Sequence, residues 1–397
     1  MERIAIASTG LGHVTRGIET WAVDTAQALH ARGVNVTLFG AFGKTMPKED
    51  GVVERVSVDC LRRGDPKNVV WLKRLPRFIW RFGITGSYGL EQLTFWWRLW
   101  PLLRAGNYSI LHVQDPMLAM WCRRFRTLGL VQTKEILAHG TEETAQFLEP
   151  FEYLQHLAPW HLQETVKRLA LTSQPRGWCA LPNFVDVEVF FPVEENVRRK
   201  QQRAALRAEL GIPAESPVFL CVAAVKVFHK RIDFLIKEFA AFVENTSSDG
   251  PAVHLIIAGA RDEETDALLE LSQSIGKGRI HILLDQARAD MPVLLNTADC
   301  FVLASLFEMM PIAILEALSA GLPVIANTHP VLEWMVGPGG HCFDIEQPGS
   351  FAAVLATIDA DWIQKNGAAA RRHALDSYST EAVIESYLKY YREVVDV

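Results

Sequence analysis

Two glutamates, Glu308 and Glu316, stand eight residues apart at a predicted junction between a loop and a helix. Pro311 has a fixed φ and no N–H group, so it suits the first turn of this helix, which Gly321 would end. The free N–H groups at a helix start can bind an anion such as a phosphate. Carboxylates on either side can accept hydrogen bonds from hydroxyls. A nucleotide sugar, with a diphosphate between a ribose and a hexose, requires both kinds of contact.

The elements that must position these glutamates are two buried strands and a helix between them. Residues 300–304 and 322–326 are short apolar runs, which are typical of buried parallel strands, and residues 312–320 are predicted to form the helix. For an isolated pair we would favour a simpler interpretation. In that case Glu308 is a solvated loop charge and Glu316 is a charge on the helix surface.

The whole segment, E-M-M-P-I-A-I-L-E-A-L-S-A-G-L-P-V-I, resembles the signature of the retaining glycosyltransferases of family 4, which have the GT-B architecture. Their signature is Glu, seven residues and Glu, followed by small residues. Because the match continues through the helix and the next strand, we favour the functional interpretation. The resemblance implies an α/β fold with two Rossmann-like domains whose parallel sheets face a cleft. A C-terminal helix is expected to cross back to the first domain.

Length and composition are consistent with two such domains. The chain has 397 residues, of which 49% are hydrophobic, enough for two cores. No apolar run reaches the length of a membrane-spanning helix. The six cysteines are scattered without a Cys-x-x-Cys pair, which argues against a zinc site or a disulfide framework and suits a reducing cytoplasm. The N-terminus leads directly into a predicted strand rather than a signal peptide, so we expect a cytoplasmic location.

The domain boundary is predicted from residues 180–192, A-L-P-N-F-V-D-V-E-V-F-F-P, which resemble the family's hinge, with Phe184 in place of its usual glycine. The expected division is an acceptor-side domain over 1–186, a nucleotide-sugar-binding domain over 187–376 and a crossover helix over 377–397.

The first half of the chain differs from the second in charge and in tryptophan content. Residues 1–186 hold 22 Lys and Arg against 17 Asp and Glu, whereas the whole chain carries a net charge of −6. The basic, Trp-rich stretch 71–104 has two interpretations. We favour a helix packed on the first domain's sheet, with Leu93, Trp96, Trp97 and Trp100 on one face. The alternative is a peripheral contact with the inner face of a membrane, since many enzymes of this family act on lipid-linked acceptors.

In the first domain, Gly12 and His139 are the predicted site residues. Gly10-x-Gly12 follows the first strand, but the next strand ends without the acidic residue that would hold a NAD ribose, so NAD binding is rejected. The resemblance places Gly12 near the donor diphosphate; a tight turn is the alternative. The resemblance also implies that His139, at the end of a predicted strand, contacts a sugar hydroxyl. His112 is the weaker candidate.

In the second domain, the resemblance implies that Lys230 binds the donor diphosphate, because it matches the lysine that neutralises the diphosphate in the family. Negative charge builds on the leaving phosphate in the transition state, so a cation there lowers the barrier. The family's arginine position falls at Ala224, and Lys226 or Arg231 could replace that cation.

The remaining assignments concern the sugar and the ribose. We expect Glu308 to contact hydroxyls of the transferred sugar and Glu316 to hold the ribose hydroxyls. The backbone around Met310, Pro311 and Ile312 is expected to hold the sugar and phosphate.

The predicted reaction is transfer of a hexose from a UDP- or GDP-type sugar to an acceptor hydroxyl of a glycan, a lipid-linked compound or a small molecule. No second carboxylate is placed for a double displacement, so front-side transfer with retention is expected, in which the leaving phosphate helps to deprotonate the acceptor. No Asp-x-Asp is placed to hold a metal, so we predict metal independence, no cofactor and no nucleic-acid partner. The alternatives are another GT-B enzyme such as a nucleotide-sugar epimerase, or an inactive nucleotide-sugar-binding protein. A phosphorylase would need a pyridoxal-phosphate lysine, which we cannot identify.

Overall fold

The computed structural model describes residues 2–14, 16–43, 52–74, 86–245 and 251–396. The chain divides into two compact units. Unit 1 comprises Met1–Asn183 together with Val383–Val397, and unit 2 comprises Phe184–Ala382. Each unit contains a parallel sheet with helices in its crossover connections, so the predicted pair of Rossmann-like α/β domains is confirmed.

The sheet of unit 1 has seven strands among the described residues, in the order β3-β2-β1-β4-β5-β6-β7. The strands are β1 (Arg3–Ser8), β2 (Asn35–Gly40), β3 (Glu54–Ser57), β4 (Tyr108–Val113), β5 (Lys134–His139), β6 (Leu154–His156) and β7 (Trp178–Ala180). All neighbouring pairs are parallel. The strand order reverses between β1 and β4, and sheets of this kind bind ligands outside the carboxyl ends of the strands at such a reversal.

The helices of unit 1 are α1 (Gly17–Ala31), α2 (Pro66–Arg74), α3 (Ser87–Ala105), α4 (Pro116–Thr127), α5 (Ala145–Leu148) and α6 (Pro159–Arg168). The core includes one face of α3, and the predicted face is buried only in part. Trp96 is fully buried and packs edge-on against Phe125, whereas Trp97 is 55% exposed. Trp97 and Trp100 also contact the Phe125 ring, at 5.9 and 5.5 Å between ring centroids, so the predicted shared face is present, but its Trp97 edge is exposed. Consecutive helical residues point about 100° apart, and Trp96 turns inward with Phe95 and Leu99.

The sheet of unit 2 has six strands in the described part of the chain, in the order β10-β9-β8-β11-β12-β13. They are β8 (Val218–Val222), β9 (His254–Gly259), β10 (Ile280–Leu284), β11 (Cys300–Leu303), β12 (Val324–Asn327) and β13 (Gly340–Phe343). The helices are α7 (Val197–Glu209), α8 (Ile232–Asn245), α9 (Thr265–Ile275), α10 (Met291–Thr297), α11 (Ile312–Ser319), α12 (Pro330–Val336), α13 (Ser350–Leu355) and α14 (Ala360–Ser377).

The segment from β11 to β12 has the predicted strand–helix–strand order, with ends shifted by one or two residues. Every residue of both strands is buried, as expected for strands covered on both faces. Gly321 has a φ of +74°, the left-handed conformation that commonly follows a helix and that a side chain disfavours.

The last helix, α15 (Thr380–Asp396), begins two residues after the predicted start at residue 378. Its aromatic side chains pack into unit 1. The Tyr391 hydroxyl lies 2.7 Å from His112 Nδ1, and Gln155 Nε2 donates a 2.8 Å hydrogen bond to the Tyr387 hydroxyl. The C-terminal turns thus complete the first unit. None of the described helices is both long enough and apolar enough to cross a membrane.

Candidate functional site

The loop that follows β8 positions Lys230 in unit 2. Two residues of this loop have positive φ angles, His229 at 46° and Arg231 at 51°. For a residue with a Cβ atom this conformation costs about 1–2 kcal/mol. The loop is hydrogen-bonded to the segment that follows β11, because the Leu306 N–H group donates a 2.7 Å hydrogen bond to the His229 carbonyl. The chain therefore accepts local strain to place Lys230.

Lys230 and Glu308 form an ion pair, with Nζ 2.5 Å from Oε1. Their side chains are only 17% and 11% exposed, so water screens the pair poorly. The two residues meet because β8 and β11 are neighbouring parallel strands, whose carboxyl ends lie at one edge of the sheet. The structure thus brings together two of the residues predicted from the sequence.

Glu316 lies on the inner face of α11 and is 2% exposed. The alternative that it is a surface helix charge is therefore wrong. Its Oε1 atom contacts Nη1 of Arg288, a residue that the sequence reasoning missed. Arg288 opens a short 3-10 turn before α10 and follows the end of β10; its guanidinium lies 5.1 Å from the Phe190 ring centroid. The available signal was its place after the carboxyl end of a strand.

The two other predicted cations have acidic partners of their own. Lys226 Nζ lies 3.8 Å from Asp262 Oδ2, and Arg231 Nε lies 3.3 Å from Asp233 Oδ1. Glu264, also missed, anchors the same loop, because its Oε2 atom accepts hydrogen bonds from two consecutive backbone N–H groups at 2.7 and 3.2 Å. These contacts do not include Glu308. That Lys226 or Arg231 replaces the family's arginine therefore stays a prediction.

The backbone at Met310, Pro311 and Ile312 has the expected form. Pro311 is the N-cap, with φ −69° and ψ 115°, and α11 starts at Ile312. Met310 is 5% exposed. A helix start of this kind carries partial positive charge from its unpaired N–H groups. Binding of sugar and phosphate there stays a prediction.

In unit 1, Gly12 is required by the local fold. Its φ is +97°, and a Cβ atom would stand 2.6 Å from the Ala41 carbonyl oxygen. The glycine thus lets the loop after β1 approach the backbone that follows β2. This geometry accounts for the tight-turn interpretation and leaves a role in donor binding as a prediction.

A buried acidic residue beside this loop, Glu91, was also missed. Its side chain is fully buried and is bound by Arg63 Nη2 at 2.6 Å and by His13 Nε2 at 2.9 Å. Burial alone would raise the pKa of Glu91, but the hydrogen bonds from Arg63 and His13 outweigh it and lower the pKa. A second ion pair, between Arg16 and Glu19, lies at the start of α1, where Arg16 Nη2 is 2.9 Å from Glu19 Oε1.

His139 ends β5 and is 5% exposed. Its Nδ1 atom lies 3.1 Å from Nδ1 of His156, its register partner on β6. Burial, together with the neighbouring imidazoles His156 and His161, holds the pKa of His139 well below its usual value. The ring is therefore neutral at pH 7.

His112 lies inside unit 1 against Tyr391, and burial lowers its pKa to about 3. These contacts give it a structural role. Among the described residues, no group of three His, Cys, Asp or Glu side chains is arranged to hold a metal ion.

Each unit matches a sequence family. Residues 202–378 match the family described as "Glycosyl transferases group 1", and residues 15–171 match "Glycosyltransferase Family 4".

Two curated relatives illustrate the similarity. The UDP-Gal:alpha-D-GlcNAc-diphosphoundecaprenol alpha-1,3-galactosyltransferase of Escherichia coli is 31% identical over 58% of this chain and 60% of its own length. The D-inositol 3-phosphate glycosyltransferase of Salinispora arenicola is 27% identical over 53% of this chain and 48% of its own length. The chain thus aligns with only about half to three fifths of these relatives.

Solved structures share the fold over nearly the whole chain. The sucrose-phosphate synthase of Thermosynechococcus elongatus superposes with a TM-score of 0.75 at 19% identity, covering 99% of both chains. The Anabaena protein HepE, solved with UDP-glucose, gives a TM-score of 0.73 at 13% identity, covering 99% of this chain and 100% of that one. One glycosyltransferase family model thus matches in each unit, and the chain shares the GT-B fold of glycosyltransferases of known structure.

Proposed function

We propose that this protein is a retaining, metal-independent glycosyltransferase that moves a hexose from a nucleoside-diphosphate sugar to an acceptor hydroxyl. The observation that carries the proposal is the pair of ionic contacts on either side of the start of α11. The ion pair of Lys230 with Glu308 lies before the helix. The ion pair of Arg288 with Glu316 lies at its second turn. A cation and a hydroxyl-binding carboxylate on each side suit a ligand that is anionic in the middle and hydroxylated at both ends.

On this proposal, both contacts rearrange when the donor binds. Lys230 turns its ammonium to the diphosphate, and the released Glu308 accepts hydrogen bonds from the sugar. Glu316, held by Arg288, accepts hydrogen bonds from the ribose hydroxyls. The N–H groups at the start of α11 face the phosphate, where the helix dipole favours negative charge.

The chemical step is a front-side substitution at the anomeric carbon. The bond to the phosphate oxygen breaks with its electron pair, and the acceptor oxygen bonds to the same face. The acceptor's proton passes to the leaving phosphate. Lys230 stabilises the charge that develops on that phosphate. His139 contributes a hydrogen bond to a sugar hydroxyl, and Gly12 permits close approach to the diphosphate.

The names of the similar proteins favour a UDP-type donor over a GDP-type one. The E. coli relative uses UDP-Gal and a diphosphoundecaprenol-linked acceptor, and HepE was solved with UDP-glucose. A lipid-linked, glycan or small-molecule acceptor fits the proposal equally, and a cytoplasmic location is part of it.

The test is product analysis with UDP- and GDP-hexoses, acceptor candidates and EDTA. We expect release of the nucleoside diphosphate and a product whose anomeric configuration, read by NMR, equals that of the donor. An inverted product or a strict requirement for Mg²⁺ would contradict the proposal. Conversion of the donor to an epimer without any acceptor would favour an epimerase. Nucleotide binding with neither transfer nor slow donor hydrolysis would favour an inactive binding protein.

We also propose a peripheral membrane contact through α2 and the exposed side of α3. Trp71 and Trp97 are 52% and 55% exposed, and Lys67, Lys73 and Arg98 beside them are exposed. Exposed tryptophans among basic residues suit a layer of anionic headgroups. The predicted stretch also includes residues 75–85, which lie outside the described residues.

Its test is cosedimentation with anionic vesicles. Replacing Trp71 and Trp97 by Ala should lower binding severalfold, while Trp334→Ala in unit 2 should leave it unchanged. Equal binding of the wild type and the double variant would contradict the contact.

A further inference from the structure

Glu143 lies beside His139 in unit 1, four residues further along the chain. Its Oε2 atom is 3.9 Å from His139 Nε2, which is too long for a direct hydrogen bond. The carboxylate is fixed from the other side, because Thr141 Oγ1 lies 2.8 and 2.7 Å from its two oxygens. The Glu143 side chain is 15% exposed and that of His139 is 6% exposed. The buried His139 Nε2 atom therefore faces a carboxylate oxygen of Glu143 without forming a hydrogen bond to it.

The contact between His139 and His156 determines which nitrogen carries the proton. Both rings are neutral, and one Nδ1–H group must donate to the other Nδ1 across 3.1 Å. The accepting ring then carries its own proton on Nε2. The Nε2 atoms of both rings are buried without a hydrogen-bond partner in the described structure, but that of His139 lies 3.9 Å from the Glu143 carboxylate, whose negative charge favours a proton on this nitrogen. We assign the donor role to His156 Nδ1, which leaves Nε2–H of His139 directed toward Glu143.

A hydroxyl group fits between these two atoms. It accepts from an N–H group at about 2.9 Å and donates to a carboxylate at about 2.7 Å. Two such bonds that meet at one hydroxyl oxygen at about 90–110° place the donor and acceptor about 4.0–4.6 Å apart. The 3.9 Å separation of Nε2 and Oε2 lies at the short end of this span.

We propose that His139 and Glu143 together bind one hydroxyl group of a sugar substrate, and that His156 is a positioning residue that holds His139 in its Nε2–H form. This inference rests on the proposed function and adds Glu143 and His156 to it. The hydroxyl belongs either to the donor sugar or to the acceptor. A site with one donor and one acceptor for the same hydroxyl rejects a sugar that lacks it, because both site groups would then be unpaired.

The test measures affinity for UDP, UDP-glucose, UDP-galactose and GDP-mannose, and the acceptor KM. It uses the wild type, Glu143→Gln, Glu143→Ala and the control Glu142→Gln, an exposed neighbour. We expect Glu143→Ala to weaken nucleotide-sugar binding tenfold or more while UDP alone binds as before. If the acceptor supplies the hydroxyl, Glu143→Ala should instead raise the KM of the acceptor tenfold or more. Unchanged values for both substrates would overturn the inference, whereas a wild type that binds no nucleotide would overturn the proposed function itself.

His156 is tested by NMR of its partner's nitrogens. We expect ¹⁵N shifts of His139 that report the Nε2–H tautomer in the wild type and in His156→Gln, whose amide can still donate. In His156→Ala the tautomers should mix, with the sugar affinity reduced as for Glu143→Ala. An Nδ1–H tautomer of His139 in the wild type would overturn the assignment.

Discussion

The candidate residues of unit 2 are held by opposite charges, whereas those of unit 1 are held by neutral hydrogen bonds. Lys230 and Arg288 contact Glu308 and Glu316 directly. His139, in contrast, is kept neutral by burial beside His156. Both groups of residues follow the carboxyl ends of parallel strands, so the architecture does not explain the difference.

The difference follows from what each group of residues is proposed to bind. A diphosphate needs cations, and a cation that is buried without its ligand must be neutralised by a carboxylate. A sugar hydroxyl is neutral and needs one donor and one acceptor at fixed positions.

The largest effect is expected from Lys230→Ala. Loss of the cation that faces the leaving phosphate should lower turnover about 10²–10³-fold, the usual cost of losing one group that stabilises transition-state charge. Lys230→Arg retains the charge and should recover part of the rate. Steady-state kinetics provides the measurement, with Lys237→Ala, an exposed lysine of α8, as the control. Wild-type turnover in Lys230→Ala would remove the central cation from the mechanism.

A smaller effect is expected from the neutral histidines of unit 1. His112 has a pKa of about 3 in the fold, because burial excludes its charged form, and about 6.5 when unfolded. The unfolded chain therefore binds more protons below pH 6.5, and stability falls as the pH falls toward 3. At pH 5 the loss amounts to about 2 kcal/mol for this group.

Denaturant unfolding at pH 7 and pH 5, followed by tryptophan fluorescence, measures this loss. Trp21 packs edge-on against His112 at 4.9 Å and is a nearby probe. In His112→Gln the difference between the two pH values should shrink by that amount, while His30→Gln, in the last turn of α1, should leave it unchanged. A pH dependence in His112→Gln equal to that of the wild type would contradict the account.

The smallest effect concerns the strained loop of unit 2. Arg231 has a φ of +51°, a conformation that glycine adopts without a Cβ penalty. Both Arg231→Gly and Arg231→Ala lose the contact with Asp233, so their comparison isolates the backbone. We expect the glycine variant to be more stable than the alanine variant by about 1 kcal/mol in thermal unfolding. An alanine variant of equal or greater stability would show that the loop is not strained there.

The elements around the candidate residues of unit 2 could be predicted because their signals are local. Apolar runs, Pro311 and Gly321 predict β11, α11 and β12 to within two residues. Lys230 and Glu308 were each predicted as site residues from the resemblance to a known motif, whereas their ion pair was not predicted. Arg288 could not be predicted to meet Glu316, because that contact depends on how α10 and its preceding turn pack against α11.

In unit 1 the limits are clearer. The short strands β3, β6 and β7 have three or four residues, too few to show a period. Without β6 in the sequence-based prediction, the contact of His139 with His156 was invisible, since it arises from the register of neighbouring strands. Adjacent tryptophans on α3 likewise differ in burial only because of the helix's rotation against the core.

The central claim is that unit 2 binds a nucleotide sugar through Glu316 and Lys230. The most direct measurement is a thermal-shift panel with UDP, GDP, ADP, CMP and their common sugars, without metal, for the wild type, Glu316→Ala and the control Glu333→Ala, an exposed residue of α12. A ligand that binds only the native state raises Tm by mass action. We expect one nucleotide family to stabilise the wild type and Glu333→Ala but not Glu316→Ala. No shift with any nucleotide, or the same shift in Glu316→Ala, would contradict the claim.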